Sequence, residues 1–445
     1  MLVIIHGWSD GSDSFKPLVR RLVAAGIAQE GIEQIHLGDY LSLDDQVTFD
    51  DVATALERAW TQHNLPRGPR SVDVVVHSTG ALVIRDWLTR YFEPGTAPVH
   101  RLLMLAPANF GSPLAHTGRS LIGRATKGWH GSRLFETGTH ILKGLELASP
   151  YSAALAGRDR FCTESWYGPG RMLCTVLVGN TGYSGIAAIA NRPGSDGTVR
   201  VSTANLNCAR LDVDFASDPK QPDYRLTDCN GLTAFGIMDG EDHSSVACKG
   251  GGPRSNATLQ TIFEALRVDD DDFKGWCDKL AGQTRQLMDK RNRRGSQPYY
   301  HGYQNTVVHV QDQYGNPVPD YLIELFANDD KGRRNRRLTR QLQEGIIVNV
   351  HAYSDDAARR SMLINCRQLR ALLDRDDDRL NISITASPDI NNHDVGFGTY
   401  SDKDIGFLSL QREQRDALFQ DNRTLLLSIT LRREQTDKLF RLHPY

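Results

Sequence analysis

The chain has 445 residues, 40% apolar and 24% charged, with a formal net charge of −2. That is a soluble, globular composition, too long for one ordinary core and consistent with two or three domains. The near-zero charge gives no global pull toward nucleic acid, and no apolar run reaches the roughly 20 residues a membrane-spanning helix needs.

The first residues, "MLVIIHGW", have no basic n-region and no cleavage site. They predict a cytoplasmic protein by default and leave signal-independent secretion open. Cys162, Cys174, Cys208, Cys229, Cys248, Cys277 and Cys366 include no CxxC pair. Mostly free thiols in a reducing compartment are expected. Five of them fall between 162 and 248, so one or two disulfides could form in an oxidising space.

Residues 2–5 form a short apolar run ending in His-Gly, which predicts a buried parallel strand. Phe15, Leu18, Val19, Leu22 and Val23 then recur at helical spacing. Residues 31–40 read as a strand and its exit. Val52, Ala55, Leu56 and Ala59 share one helical face. Val72–Val76 is a second core strand, and Ala81, Ile84, Leu88 and Phe92 stripe the helix after it. Further strands are expected at 101–106 and 172–180. Strand and helix in alternation, with strands apolar on both faces, predict an α/β domain with a mainly parallel sheet.

The interval 107–171 is long and rich in Gly and Ser. It is either a helical excursion that covers the sheet or a cap over a pocket. Helices are expected at 254–266 and about 273–292, with Asp269–Asp272 as a solvated break between them. A basic, Gly/Ser/Pro-containing linker is placed at 291–300. Beyond it, short strand-like runs at 306–311, 321–326, 345–351, 380–386, 405–410 and 424–431 predict a β-sandwich. Residues 360–374 and 411–420 read as helices and depart from that plan. The basic run "DKGRRNRRLTR" at 330–340 reads as a solvated hairpin, or else as a seat for anionic headgroups or another acidic partner.

The chemistry concentrates at "VVVHSTGALV" (74–83). A buried strand, a sharp turn and an immediate helix are what exposes a nucleophilic serine. The pattern G-x-S-x-G keeps its second glycine as Gly80, but Val76 replaces the first. Ser78 needs a base, and the base needs an orienting acid. Asp196 in "GSDGTVRV" and His243 in "GEDHSSVA" follow in the order Ser, Asp, His. Asp242, adjacent to His243, is poorly placed to orient it. Two backbone N–H groups would face the oxyanion, from Thr79 after the nucleophile and from Trp8 after His6-Gly7.

Together, "VIIHGW", "VVHSTGALVIRDW", "LLMLAPANFGSPLA", "SDGTVRV" and "DHSSVA" resemble a bacterial lipase/esterase of the α/β-hydrolase superfamily, over roughly residues 1–265. The resemblance implies Ser78 as nucleophile, His243 as general base and acid, Asp196 as its orienter, and Trp8 and Thr79 as the oxyanion hole. It also implies that the first one or two strands of the larger fold are missing, as in compact lipases. "VVHVQDQYGNPVPDYLIELF" resembles the first hairpin of bacterial immunoglobulin-like or transthyretin-like modules.

The expected architecture is therefore an α/β-hydrolase domain over 1–290, with a cap-like insertion at about 107–171, followed by a smaller, mostly-β sandwich domain over 301–445. The expected activity is serine ester hydrolysis of lipid-like acyl esters, by a lipase or phospholipase with peripheral membrane or micelle contact. The other reading is a binding or scaffold protein on a hydrolase fold, with the β-domain as its recognition module. No Walker or dinucleotide fingerprint occurs, His130 and His140 lack metal partners, and neither Asp run has a Ca²⁺-loop spacing. No cofactor, metal or nucleic acid is expected.

Overall fold

The computed structural model describes residues 1–6, 13–27, 31–40, 44–115, 138–293, 302–328, 332–374, 379–386, 394–398 and 405–440. The chain divides into two compact units. The first comprises Met1–Asn207 and Cys229–Tyr300, the second Cys208–Asp228 and His301–Tyr445.

The first unit is built on six parallel strands: β1 (Leu2–Ile5), β2 (Ile32–Ile35), β3 (Val72–His77), β4 (Val99–Leu105), β5 (Leu173–Gly179) and β8 (Thr233–Met238). The hairpin β6 (Cys208–Asp214) and β7 (Asp223–Asp228) precedes β8 in sequence but belongs to the second unit. The strand order is β2-β1-β3-β4-β5-β8. Successive residues point to opposite faces, and Val3, Ile4, Val74 and Val75 are all fully buried. Both faces are therefore covered, which is why these strands read as unbroken apolar runs.

Helices supply that cover. α1 (Lys16–Ala24) buries Leu18 and Leu22, and Phe15 just before it. Val23, expected on the same stripe, is 61% exposed because the face is set by Phe15, Leu18 and Leu22. α2 (Phe49–Gln62) starts at a reciprocal capping box between Thr48 and Asp51 and buries Val52, Ala55, Leu56 and Ala59. α3 (Gly80–Tyr91) packs against it, with Trp60 and Trp87 in ring contact.

Residues 107–171 are described only in part, since 116–137 lie outside the described residues. What is described is a helical cover. α4 (Thr139–Leu145) and α5 (Pro150–Asp159) pack near α2 and α3. Tyr151 stacks on Phe49 and donates to Asp86, while Arg85 forms a fully buried bidentate pair with Asp159 at 2.7 and 2.9 Å.

α6 (Asn256–Ala265) and α7 (Asp270–Arg293) follow β8. Most of the Asp run is not a solvated break: Asp270–Asp272 form the first turn of α7, the helix end that favours negative charge. Asp270 is also pinned by Arg70 and by the Gly170 N–H. All but the first three residues of the linker expected at 291–300 lie outside the described residues, and those three end α7.

The second unit has a six-stranded sheet in the order β11-β12-β9-β16-β6-β7. Its members are β9 (Tyr303–Asp312), β11 (Ile347–Tyr353), β12 (Asp356–Asn365), β16 (Thr424–Leu431) and the hairpin β6–β7. A three-stranded antiparallel sheet of β10 (Tyr321–Phe326), β13 (Leu380–Ala386) and β15 (Phe407–Leu410) faces it. Leu211, Val213, Leu427 and Ile429 meet Ile323, Ile384 and Leu408 in one core. A short pair, β14 (Val395–Phe397) with β17 (Arg433–Gln435), completes the unit.

Three short helices interrupt this sandwich. α8 (Arg336–Ile346) corrects the hairpin expected at 330–340. The Asn335 side chain caps it, and Leu342 and Ile346 anchor it in the core. α9 (Cys366–Leu372) occupies only the second half of the helix expected at 360–374. The first half is strand β12, which turns Met362 and Ile364 into the core. α10 (Arg412–Leu418) lies within the helix expected at 411–420.

All seven cysteines are free. Burial pushes the Cys174 and Cys277 thiols up to about 12, which keeps them unreactive. No described helix is long and apolar enough to cross a membrane.

Candidate active site

β3 delivers Ser78 to the carboxyl end of the sheet. From Val74 to Val76 the strand stays in register with both neighbours, and Val76 pairs with Ile5 and Met104. The chain then turns sharply. Ser78 has φ +55°, a left-handed backbone that a residue with a Cβ rarely adopts. Thr79 immediately opens α3. The Ser78 N–H donates to Leu105 O at 3.1 Å, and its carbonyl accepts from Ala81 and Ala108. These bonds hold a conformation that alone costs on the order of 1–3 kcal/mol.

Val76, in place of the usual glycine, is fully buried and keeps its pairing with both neighbouring strands. A Cβ built on Gly80 would lie 3.5 Å from Val76 Cβ and 3.5 Å from Ile5 O. The bare Gly80 therefore leaves clearance on the facing side, and the valine fits into the elbow with room to spare.

His243 lies beside Ser78. Its Nε2 is 3.1 Å from Ser78 Oγ, and its Nδ1 is 3.0 Å from Asp196 Oδ2. Asp196 and His243 are both buried, and their backbones are tied by His243 N–H donating to Asp196 O at 2.9 Å. The second carboxylate oxygen of Asp196 accepts from the N–H groups of Thr198 and Val199, each at 2.9 Å. These bonds fix the carboxylate so that its other oxygen faces Nδ1, which holds the imidazole proton there and leaves Nε2 free to accept from the Ser78 hydroxyl.

The Asp-Gly pair at 196–197 is more than a turn signal. Gly197 has φ +103°, and any Cβ there would sit 2.6 Å from the Tyr183 ring. Tyr183 in turn bonds Thr198 Oγ1 at 2.8 Å and walls the loop. Burial first, and then the Asp196 charge, push the Tyr183 hydroxyl up. Asp242 does not compete for His243. It accepts from Ser244 N–H and Ser245 N–H and pairs with Arg254, so it shapes the turn instead.

The segment "APANFGSPLA" is buried throughout. Asn109 donates to Ala204 O, Phe110 N–H donates to Thr203 O and Ser112 Oγ donates to Thr198 O. It thus clamps the Asp196 loop to the end of β4. Thr79 stands at a helix start, where first-turn N–H groups lack intrahelical acceptors. Trp8 lies outside the described residues.

Sequence reading passed over His77. It is buried in the last position of β3, with its Nε2 2.9 Å from His243 O and its Nδ1 3.1 Å from Lys249 Nζ. The lysine ammonium only donates, so Nδ1 accepts and Nε2 carries the proton to the His243 carbonyl. One visible signal was a histidine closing an otherwise apolar buried strand.

The sequence pattern of the Alpha/beta hydrolase family matches residues 2–224. No curated protein sequence matches the chain. Two structures of phospholipase PlaB from Legionella pneumophila match the whole of it, the second of them in complex with thio-NAD. Each is 22% identical and covers 100% of this chain and 96% of the other, with TM-scores of 0.80 and 0.78. The mature Bacillus licheniformis lipase BlEst2 is 18% identical over 60% of this chain and 91% of its own, with a TM-score of 0.35.

Proposed function

The chain belongs to the alpha/beta hydrolase family, and from that premise we propose that it is a serine carboxylic-ester hydrolase acting on lipid-like acyl esters, as a lipase or phospholipase. One observation carries the reading: the continuous relay from Ser78 Oγ through His243 to Asp196, with Ser78 held at a left-handed turn.

In this mechanism His243 Nε2 takes the Ser78 proton as Oγ bonds to the ester carbonyl carbon. The oxygen that becomes negative is met by the Thr79 and Trp8 N–H groups. The tetrahedral species collapses, and the leaving alkoxide departs as an alcohol with the proton from His243. Water, deprotonated by the same imidazole, then attacks the acyl-enzyme and releases the fatty acid and Ser78. Asp196 holds the imidazole tautomer and stabilises the cation that forms twice.

The likeness in fold to a Legionella phospholipase supports a lipid substrate. So do the apolar residues Trp129, Phe135, Ile141 and Leu142 in the 107–171 interval. The test is hydrolysis of p-nitrophenyl acyl esters of increasing chain length, followed by defined phospholipids and triacylglycerols. Activity that rises with acyl length is the expected result. Turnover confined to acetate would remove the lipid half of the proposal. The thio-NAD in the matched Legionella complex makes a nicotinamide dinucleotide the first additional ligand to titrate.

The scaffold reading predicts no covalent labelling by a fluorophosphonate probe, whereas the enzyme reading predicts labelling at Ser78. His77 adds a finer expectation. His77→Phe keeps the ring but leaves the His243 carbonyl without its donor, a cost of about 1–3 kcal/mol for a buried group. We expect kcat to fall about ten- to a hundredfold with KM unchanged, and His77→Gln, which keeps a donor, to recover most of the loss. Equal loss in both variants would count against a positioning role.

A further inference from the structure

Five arginines occur within eight residues at 333–340: Arg333, Arg334, Arg336, Arg337 and Arg340. In a chain with a net charge of −2 this is a local concentration of positive charge. Only two residues of α8's first turn and one of its second are involved: Arg336, Arg337 and Arg340 are exposed, and none forms an ion pair among the described residues. Their charge is not consumed in holding the fold together.

The run begins beside an apolar surface. Arg334 pairs with Glu324 at 3.0 Å, and its guanidinium lies 4.2 Å above the centre of the Phe326 ring. Phe326 meets Phe407 edge-on, with centroids 5.2 Å apart. Leu322, Glu324 and Phe326 alternate onto one face of β10, opposite the core residues Ile323 and Leu325. In register across the sheet, Glu324 faces Ser383, which faces Phe407, so all lie on that outer face. There Leu322 is 65% exposed and Phe407 45% exposed. α8 packs against the same strand, β10.

Exposed apolar side chains on a strand that also packs against a helix bearing three unpaired guanidinium groups match the interface of a charged bilayer. Phosphate-bearing headgroups meet the cations, and the acyl boundary takes Leu322 and Phe407. A nucleic acid would use the arginines but offers no place for a protruding leucine. We propose that α8 and the outer face of β10 and β15 form a docking surface for a lipid bilayer carrying anionic headgroups. This deepens the lipid-hydrolase reading: the second unit would bring the enzyme to its substrate phase. The three unpaired arginines and two apolar anchors are a two-signal arrangement, in which neither part alone gives firm attachment.

The test uses the full chain and vesicles of ether-linked lipids, which an ester hydrolase cannot consume. Phosphatidylcholine vesicles are compared with vesicles containing about a third phosphatidylglycerol, at about 0.1 M salt, where unpaired surface charges still act over roughly 10 Å. The wild-type chain is expected to co-sediment with the anionic vesicles only. Replacing Arg336, Arg337 and Arg340 together with Gln removes about fivefold per charge, or about a hundredfold in partitioning. Replacing Leu322 and Phe407 with Ser is expected to abolish the binding that survives raised salt.

Both variants should hydrolyse a soluble p-nitrophenyl ester as the wild type does, which separates lost docking from lost folding. Equal binding to both vesicle types, or unchanged binding by the arginine variant, overturns the proposal. So does retention on RNA or self-association that the arginine substitutions abolish while vesicle binding stays intact. Absence of ester turnover in the wild-type chain would sink the enzyme reading alone, since vesicle binding is read without catalysis.

Discussion

Ser78→Ala is expected to lower kcat by about 10⁴- to 10⁶-fold, with the residue of activity coming from oxyanion stabilisation and substrate positioning. The hydroxyl is the group in the relay that can form the acyl bond, since Asp196 Oδ2 is committed to His243 Nδ1 and His243 Nε2 to the Ser78 hydroxyl. Asp196→Asn or His243→Ala in the Ser78→Ala background should add little, because the three act as one unit. Initial rates on a soluble ester, with fluorophosphonate labelling as the second readout, check this. Undiminished turnover in Ser78→Ala would remove the proposed mechanism. Stability should move the other way in a companion variant. Ser78 sits at φ +55°, so Ser78→Gly relieves a backbone strain of on the order of 1 kcal/mol while eliminating the nucleophile. A higher melting temperature in an inactive Ser78→Gly protein is the expected pair of results. A lower one would mean that the turn is not strained.

Residues that announce themselves locally were legible in the sequence. Val72–Val76, the turn at Ser78 and the stripe of α3 follow from apolar runs and periodicity, because buried parallel strands leave no polar position to blur the signal. Chain order proposed Asp196 and His243 as partners, 118 and 165 residues beyond Ser78 by their numbers. Their hydrogen-bonded approach is a tertiary fact that order alone does not contain. His77 and Lys249 illustrate the limit: their pairing depends on a turn 172 residues downstream returning to the end of β3. Val76 shows the converse. The motif reads as broken, yet the clearance at Gly80 absorbs the side chain. The hairpin expected at 330–340 became helix α8 because Leu342 and Ile346 anchor it in the core, a tertiary gain over a sequence dense in charge. Strands β6 and β7 were missed for a related reason. β7 reads "DYRLTD", mostly exposed at a sheet edge, and its alternation rests on Tyr224 and Leu226 alone, too short a signal to mark a strand.

That missed hairpin leads to the second large effect. A chain cut after Tyr300 is expected to aggregate, although residues 1–290 read as one domain. Cys208–Asp228 would remain attached but lose the rest of its compact unit. In the intact chain β6 pairs in parallel with β16 along Cys208–Asp214, and Leu211, Val213 and Phe215 are buried in that core. Cutting at 300 removes β16 and every strand beyond it, leaving a seven-residue unpaired edge and three large apolar side chains in water. At about 1.5–3 kcal/mol for each side chain, that exposure is comparable with the whole stability of a domain. An unpaired apolar edge is also a template for pairing with another chain. The remedy follows from Arg160. Its Nε donates to Leu206 O, and its carbonyl accepts from Asn230 N–H, so the two ends of the excursion are held beside one residue. A few glycines and serines can therefore replace 208–228. The shortened chain, residues 1–207 joined to 229–300, is expected to stay soluble and monomeric at concentrations where the simple truncation precipitates. Light scattering on the two proteins decides it: if the simple truncation is equally soluble, β6 and β7 do not depend on β16 for their cover.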